Sequence, residues 1–187
     1  MDFSFSRDQL LFQDNVRSFL INEVTPERIR ELWQSDSGRS ERLWAQLVEL
    51  GLTALTVPEA QDGMGMNELD FVLIAQECGY AGLPEPLVDT MLVGVPLLSA
   101  LDEQHAALKQ YWLARVAEGS ARLAVSEPGN PLVSDAHVAD LLLLAHGDEV
   151  HALERDAVCL TRNESVDPSR QLFQVEWTPT PATCVAS

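Results

Sequence analysis

The run Leu69-Asp70-Phe71-Val72-Leu73-Ile74-Ala75 is apolar on almost every side of a helix. Asn67 can cap this helix and Gly79 can end it. A helix without a polar face is stable only when neighbours cover it all round, so it belongs in the centre of a bundle. That requirement calls for further helices around it.

The sequence supplies them. Ser6 and Gln9 read as a capping box, with Phe5 and Leu10 placed as its hydrophobic staple. Phe12, Val16, Phe19 and Leu20 then recur at helical spacing. Thr25-Pro26-Glu27 opens a short second helix, with Pro26 in the first turn where its missing N–H costs nothing. Ser40 caps a third helix, striped by Leu43, Trp44, Leu47, Val48 and Leu50 and ended by Gly51. Residues 52–66 read as a loop in which Gly63 and Gly65 make a tight turn against the β region. Residues 87–101 form a fifth apolar segment, which Pro96 kinks or splits. Asp102 caps a sixth helix with Leu108, Trp112 and Val116 on one face, and Gly119 closes it.

Beyond Gly119 the pattern changes. Leu123-Ala124-Val125 leads into Ser126-Glu127-Pro128-Gly129, and Leu141 to Leu144 is wholly apolar. Stretches of period two follow in 151–161 and 172–177, separated by Gly147-Asp148, Asn163-Glu164 and Asp167-Pro168. These are strands and turns. The fold class is mainly α with a small β region.

Charge excludes some functions. With 29 acidic and 12 basic residues the net charge is −17, spread along the chain. No basic stripe exists to neutralise phosphates, which disfavours nucleic acid, and an anionic membrane surface would repel the chain. Cys78, Cys159 and Cys184 lie far apart, so they form neither a metal-spaced pair nor a disulfide framework, and we expect buried, reduced thiols. His105, His137, His146 and His151 show no zinc-like spacing with a Cys or carboxylate pair; we expect no metal, and surface or loop histidines. Trp33, Trp44, Trp112 and Trp177 are expected as core or interface anchors. Met1-Asp2-Phe3-Ser4-Phe5 lacks the basic start of a signal peptide, and 87–101 is too short and interrupted to span a bilayer. We expect a soluble, cytoplasmic protein.

Several runs, in this order and at this spacing, resemble the acyl-CoA dehydrogenase family. They are Phe3-Ser4-Phe5-Ser6-Arg7-Asp8-Gln9, the stretch Trp44 to Leu52, Val57-Pro58-Glu59 with Gly63-Met64-Gly65, and Val125-Ser126-Glu127-Pro128-Gly129. The resemblance implies a six-helix N-terminal domain over 1–120 and a shortened middle domain, a partial β-barrel, over 121–187. A C-terminal four-helix domain has no counterpart in these residues. It also implies FAD as cofactor, an acyl-CoA substrate, a place in fatty acid or steroid degradation and oxidation of a carbon–carbon bond. The family's Glu base usually sits on the C-terminal domain, so no residue here is assigned as catalytic. By position, Val125 and Ser126 would contact the flavin and the acyl group. Leu83 to Thr90 and Ser165 to Arg170 resemble the bacterial steroid-degrading branch, whose members are often heteromers.

The chain departs from the family where Pro-Gly usually continues into Ala-Gly-Ser-Asp; here it runs Asn130-Pro131-Leu132-Val133. The nearest counterpart of the strand that flanks the flavin ring is Cys159 to Asn163. Three readings stay open. The chain is a component of a dehydrogenase, in a homo- or hetero-oligomer with a catalytic subunit; it is a structural or interaction subunit whose flavin site has decayed; or it is a fragment of a longer active protein. Glu127 reads as a solvated turn residue, and Asp167 with Arg170 as a local ion pair or turn.

Overall fold

The computed structural model of the chain describes residues 4–187. Met1, Asp2 and Phe3, on which part of the N-terminal reading rests, lie outside the described residues. Helices α1 (Arg7–Glu23), α2 (Pro26–Trp33), α3 (Glu41–Glu49) and α4 (Glu68–Ala81) are followed by a fifth helical segment. That segment joins α5 (Leu87–Asp89) to α6 (Val95–Ala100) through a π turn, Thr90–Gly94. Helix α7 (Ala106–Ala117) ends the helical part. Strands β1 (Leu123–Val125), β2 (Leu132–Ser134), β3 (Leu141–His146), β4 (Glu149–Glu154), β5 (Cys159–Asn163), β6 (Leu172–Glu176) and β7 (Cys184–Ala186) make two small sheets. Their orders are β1-β3-β4-β7 and β2-β6-β5. The fold is thus mainly α with a small β region.

Local chemistry sets most helix ends. The Ser6 hydroxyl accepts the Gln9 N–H at 3.1 Å while the Gln9 side chain accepts the Ser6 N–H at 2.8 Å, a complete capping box. Thr25, Ser40 and Asn67 cap α2, α3 and α4 through their side chains. Three boundaries differ from the sequence reading. Gly79 lies inside α4, which runs on until Gly82 takes the left-handed conformation. Asp102 makes no side-chain cap; a 3-10 turn at Glu103–His105 precedes α7. Gly63 and Gly65 donate to the Pro58 and Val57 carbonyls at 3.2 and 2.8 Å, so their turn folds back on its own loop. Pro96 lies in the first turn of α6, directly after the π turn in which the Val95 N–H reaches back to the Thr90 carbonyl.

Helix α4 is covered on one side only. Phe71, Leu73, Ile74 and Cys78 are buried, and Glu77 turns its carboxylate into α1. There it accepts from Gln13 at 2.6 Å and from Arg17 at 2.9 and 2.8 Å, and the Arg17 hydrogen bond holds its pKa below the ordinary value. Leu69, Val72 and Tyr80 lie on one stripe of the helix at 69%, 43% and 84% exposure. The centre of a bundle asked for by the sequence is therefore only half built by these residues.

Strand β3 carries the core of the β region. A run of four leucines has no polar alternation because both faces are buried. Leu141 and Leu143 join the helical core with Leu123 and Val185. Leu142 and Leu144 face the second sheet, among Val133, Leu153 and Phe173. Strand β1, parallel to β3, has its outer edge closed by a helix. The Thr90 hydroxyl sits 3.3 Å from both the N–H and the carbonyl of Leu123. Such cover keeps an edge strand from pairing elsewhere.

A buried polar junction ties α3 to the β region. Arg122 donates twice to Glu41, at 2.9 and 2.9 Å, with its guanidinium 4.6 Å from the centre of the Trp44 ring. Trp44 in turn donates to the Gly119 carbonyl at 2.7 Å. Arg39, just before α3, pairs with Asp135 and donates to the Ser169 carbonyl at 3.0 Å. Glu85 accepts the Ser40 N–H at 2.7 Å, and its other oxygen has no partner among the described residues. Trp33, at 39% exposure, donates to the Ser169 hydroxyl at 2.7 Å and links α2 to the same loop. Asp167 and Arg170 form a turn there, with the Arg170 N–H on the Asp167 carbonyl. Of the cysteines, Cys78 is buried but Cys159 is exposed and Cys184 intermediate, which corrects the expectation of three buried thiols.

Two tests follow from this packing. An added Cβ at Gly94 would lie 2.6 Å from Leu123 Cδ1 and 2.9 Å from Leu123 Cβ. Gly94→Ala should therefore destabilise the chain by about 1–3 kcal/mol, read from the urea midpoint. Burial pushes the Glu85 carboxyl from its ordinary 4.5 up to about 7. Between those values the folded chain holds a proton that the unfolded chain has released, so stability falls as pH rises through the window. Glu85→Gln keeps the acceptor for Ser40. It should leave stability unchanged below the window and raise it above by up to about 3 kcal/mol, measured by urea unfolding at pH on either side.

Candidate active-site cleft

The cleft begins where β1 ends. The Ser126 N–H donates to the Leu143 carbonyl at 2.9 Å, and the Ser126 hydroxyl accepts the Ala145 N–H at 2.7 Å. Its own proton goes to no described residue. The side chain thus continues the pairing to β3 for one more residue and leaves a hydroxyl donor at the strand end. Glu127 to Asn130 then turn the chain, with the Asn130 N–H on the Glu127 carbonyl at 3.1 Å and Gly129 at φ 79°. The Asn130 side chain accepts the Leu132 N–H at 3.0 Å.

A cleft of about 350 Å³ opens between the fifth helical segment and these strands. Its walls are mostly apolar, with Val93 and Leu97 from the helices, Val125 from β1 and Leu172 from β6. The two residues expected from the resemblance, Val125 and Ser126, both line it. Asp89 stands at one end; burial raises its pKa, the Glu127 charge raises it further and Arg170 opposes. On the far side of the 126–131 turn lies a broader hollow of about 630 Å³, walled by Pro131, Val175 and Trp177. Strand β5, the nearest counterpart of the family's ring-flanking strand, contributes no residue to the cleft.

The cleft fits part of a flavin. Its apolar walls and the free Ser126 proton suit the edge of a ring. A pyrophosphate needs backbone donors or cations. Here the N–H groups of Asn130 and Leu132 are already bonded inside the turn and Glu127 adds a negative charge beside them, while Arg170 is the cation on the cleft lining. The 127–132 turn offers a pyrophosphate neither the Asn130 nor the Leu132 N–H, which leaves Arg170 as its charged partner on this wall.

The sequence reading missed one grouping. The β3–β4 hairpin brings His146 and His151 together, with ring centres 6.1 Å apart, and His151 is 1% exposed rather than at the surface. The signal was available in the spacing His-x-x-Glu-x-His, whose meaning depends on the strand register. Among the described residues no helix is long and apolar enough to cross a membrane.

Comparison with known proteins agrees with the fold. Residues 6–120 match the model of the acyl-CoA dehydrogenase N-terminal domain. The chain is 29% identical over 179 residues to acyl-CoA dehydrogenase IpdE2 of Mycobacterium tuberculosis, covering 95% of this chain and 54% of that protein. The ChsE4-ChsE5 complex of Mycobacterium tuberculosis superposes with a TM-score of 0.84 at 20% identity, over 100% of this chain and 58% of that one. A steroid acyl-CoA dehydrogenase, the Tcur3481-Tcur3483 G363A variant, gives 0.77 at 21% identity, over 96% and 56%. The chain spans about half the length of these relatives. With more than half of its residues matched by the family's N-terminal domain, the chain belongs to the acyl-CoA dehydrogenase family.

Proposed function

We propose that this chain forms one wall of the acyl-CoA cleft of a flavin-dependent dehydrogenase, and that the reaction needs helices beyond these 187 residues. The observation that carries the reading is the apolar cleft between the fifth helical segment and β1, with Val125 and Ser126 at its rim. Apolar walls suit an acyl chain, and the Asp89 carboxyl, its pKa raised by burial, suits a polar group on that chain. The family's reaction removes a proton alpha to a thioester carbonyl and a hydride from the beta carbon. Val125 and Ser126 position the ring and the acyl group for that step. The domain boundary near residue 120 and a cytoplasmic location belong to the same proposal.

The open stripe of α4 supports a partner. Leu69, Val72 and Tyr80 face outward, and large exposed apolar patches mark interaction surfaces. The occupant we propose is the C-terminal helical bundle of an acyl-CoA dehydrogenase, on a second chain or on a continuation of this one. A second reading, a structural subunit that never holds flavin, is favoured by the internally bonded 127–132 turn.

Two measurements test this. Expressed alone, the 187 residues should carry no flavin by absorbance and release no FAD on denaturation. Co-expressed with a longer catalytic acyl-CoA dehydrogenase chain, they should recover FAD and activity; stoichiometric FAD on the chain alone would sink the proposal, and no recovery with a bound partner would favour the structural reading. Val72→Glu should abolish association, seen by analytical ultracentrifugation, while changing the stability of the isolated chain by less than about 0.5 kcal/mol.

A further inference from the structure

The β3–β4 hairpin places three metal-ligating side chains on one face. In its register His146 lies opposite Glu149, and Leu144 opposite His151. His146 and His151 are therefore diagonal neighbours, and Glu149 completes the triangle. One ligand atom from each lies within 4.8 Å of the other two. The register to β7 shifts between Val150 and His151, and such an irregularity re-aims the side chain beside it.

The buried member has a partner at each ring nitrogen. His151 is 1% exposed, and its Nδ1 lies 2.9 Å from the Thr183 hydroxyl. That hydroxyl also accepts the Thr180 N–H at 3.3 Å and lies 3.0 Å from the Thr180 carbonyl and 3.2 Å from the Thr180 hydroxyl. In the tautomer with the hydrogen on Nδ1, the ring donates to that hydroxyl. The lone pair of the neutral ring is then on Nε2, which faces the Glu149 carboxylate at 3.2 Å. Two acceptors at that distance repel unless a positive charge sits with them. A histidine oriented through its other nitrogen is the arrangement metal sites use. Trp177 closes the side, its ring centre 4.9 Å from that of His151 and 6.2 Å from that of His146.

We propose that His146, Glu149 and His151 bind a borderline divalent cation, zinc foremost, with one position left to water. Bonds of about 2.0–2.1 Å put donor atoms about 3.3 Å apart around a tetrahedral ion. The Nε2 to Oε2 separation of 3.2 Å already meets this. The remaining closure falls to His146 and Glu149, which are both exposed and free to turn. Nitrogen and oxygen donors of this kind suit zinc, copper and nickel over magnesium or calcium. The site lies outside the acyl cleft: none of the three residues lines it.

The test is a titration of the full chain, free of affinity tags and treated with chelator, with Co²⁺ followed by its visible absorbance and then with Zn²⁺ in competition. Trp177 fluorescence gives a second readout. One equivalent should bind. His146→Ala and Glu149→Gln, both at exposed positions, should each weaken binding by at least about tenfold, and Thr183→Val by roughly 10–100-fold through the lost orientation of His151. His105→Ala should bind as the parent does. Cys184→Ser should too, although Cys184 is the strand neighbour of His151 in β7. No uptake would overturn the proposal and leave the His151–Glu149 contact as a hydrogen bond within the hairpin. So would uptake that survives both His146→Ala and Glu149→Gln, or uptake lost in Cys184→Ser.

Discussion

Burial of β3 on both faces is the constraint on which the rest depends. One strand serves as the outer layer of the helical core and the inner layer of a two-sheet core. Its odd leucines hold the helices, and its even leucines hold the second sheet. Strand β1 lies parallel beside it, and its free edge is closed by Thr90. The end of β1 is thereby fixed against the fifth helical segment, and the cleft is the gap left between them.

Buried charge performs the same joining task at the other end of the interface. Arg39, Arg122, Glu41, Glu85 and Asp135 meet where α3 approaches the β region. Removing charges from water is costly, and the cost is offset only by good geometry and full pairing. The Arg122–Glu41 pair lessens the cost by leaving the Glu41 carboxylate in water, while the buried guanidinium is held by two bonds at 2.9 Å above the Trp44 ring. Glu85 lacks full pairing, since one oxygen is unpartnered and burial keeps it ready to take a proton. The junction thus fixes how the parts meet while making their union sensitive to pH.

The two sides of the 126–131 turn separate what the family fold supplies from what this chain supplies. The cleft wall, with its apolar lining and the Ser126 donor, is in place. The loop that would meet a pyrophosphate is closed on itself by Asn130. In the proposed reading the ring edge meets this wall, and another set of helices completes the rest of the site.

Much of this was legible in the sequence. Caps at Ser6, Thr25, Ser40 and Asn67 are local chemistry, and a side chain three residues from its backbone partner does not need the rest of the fold. The four leucines of β3 announced a strand without a wet face. The order of runs ending in Ser126-Glu127-Pro128-Gly129 pointed to the family, and Val125 and Ser126 line the cleft. Where α4 stops was not legible, because Gly79 is helical when its neighbours pack and Gly82 is not. Neither was the π turn before Pro96, nor the half-open face of α4. The grouping of His146, Glu149 and His151 depended on hairpin register, and the orientation of His151 on a hydroxyl 32 residues away. The sequence by itself determined which segments are helix or strand and which side chains cap them, because those forces act within a few residues. The tertiary structure alone decided which polar groups meet, because their partners are distant in the chain and only packing brings them within bonding reach.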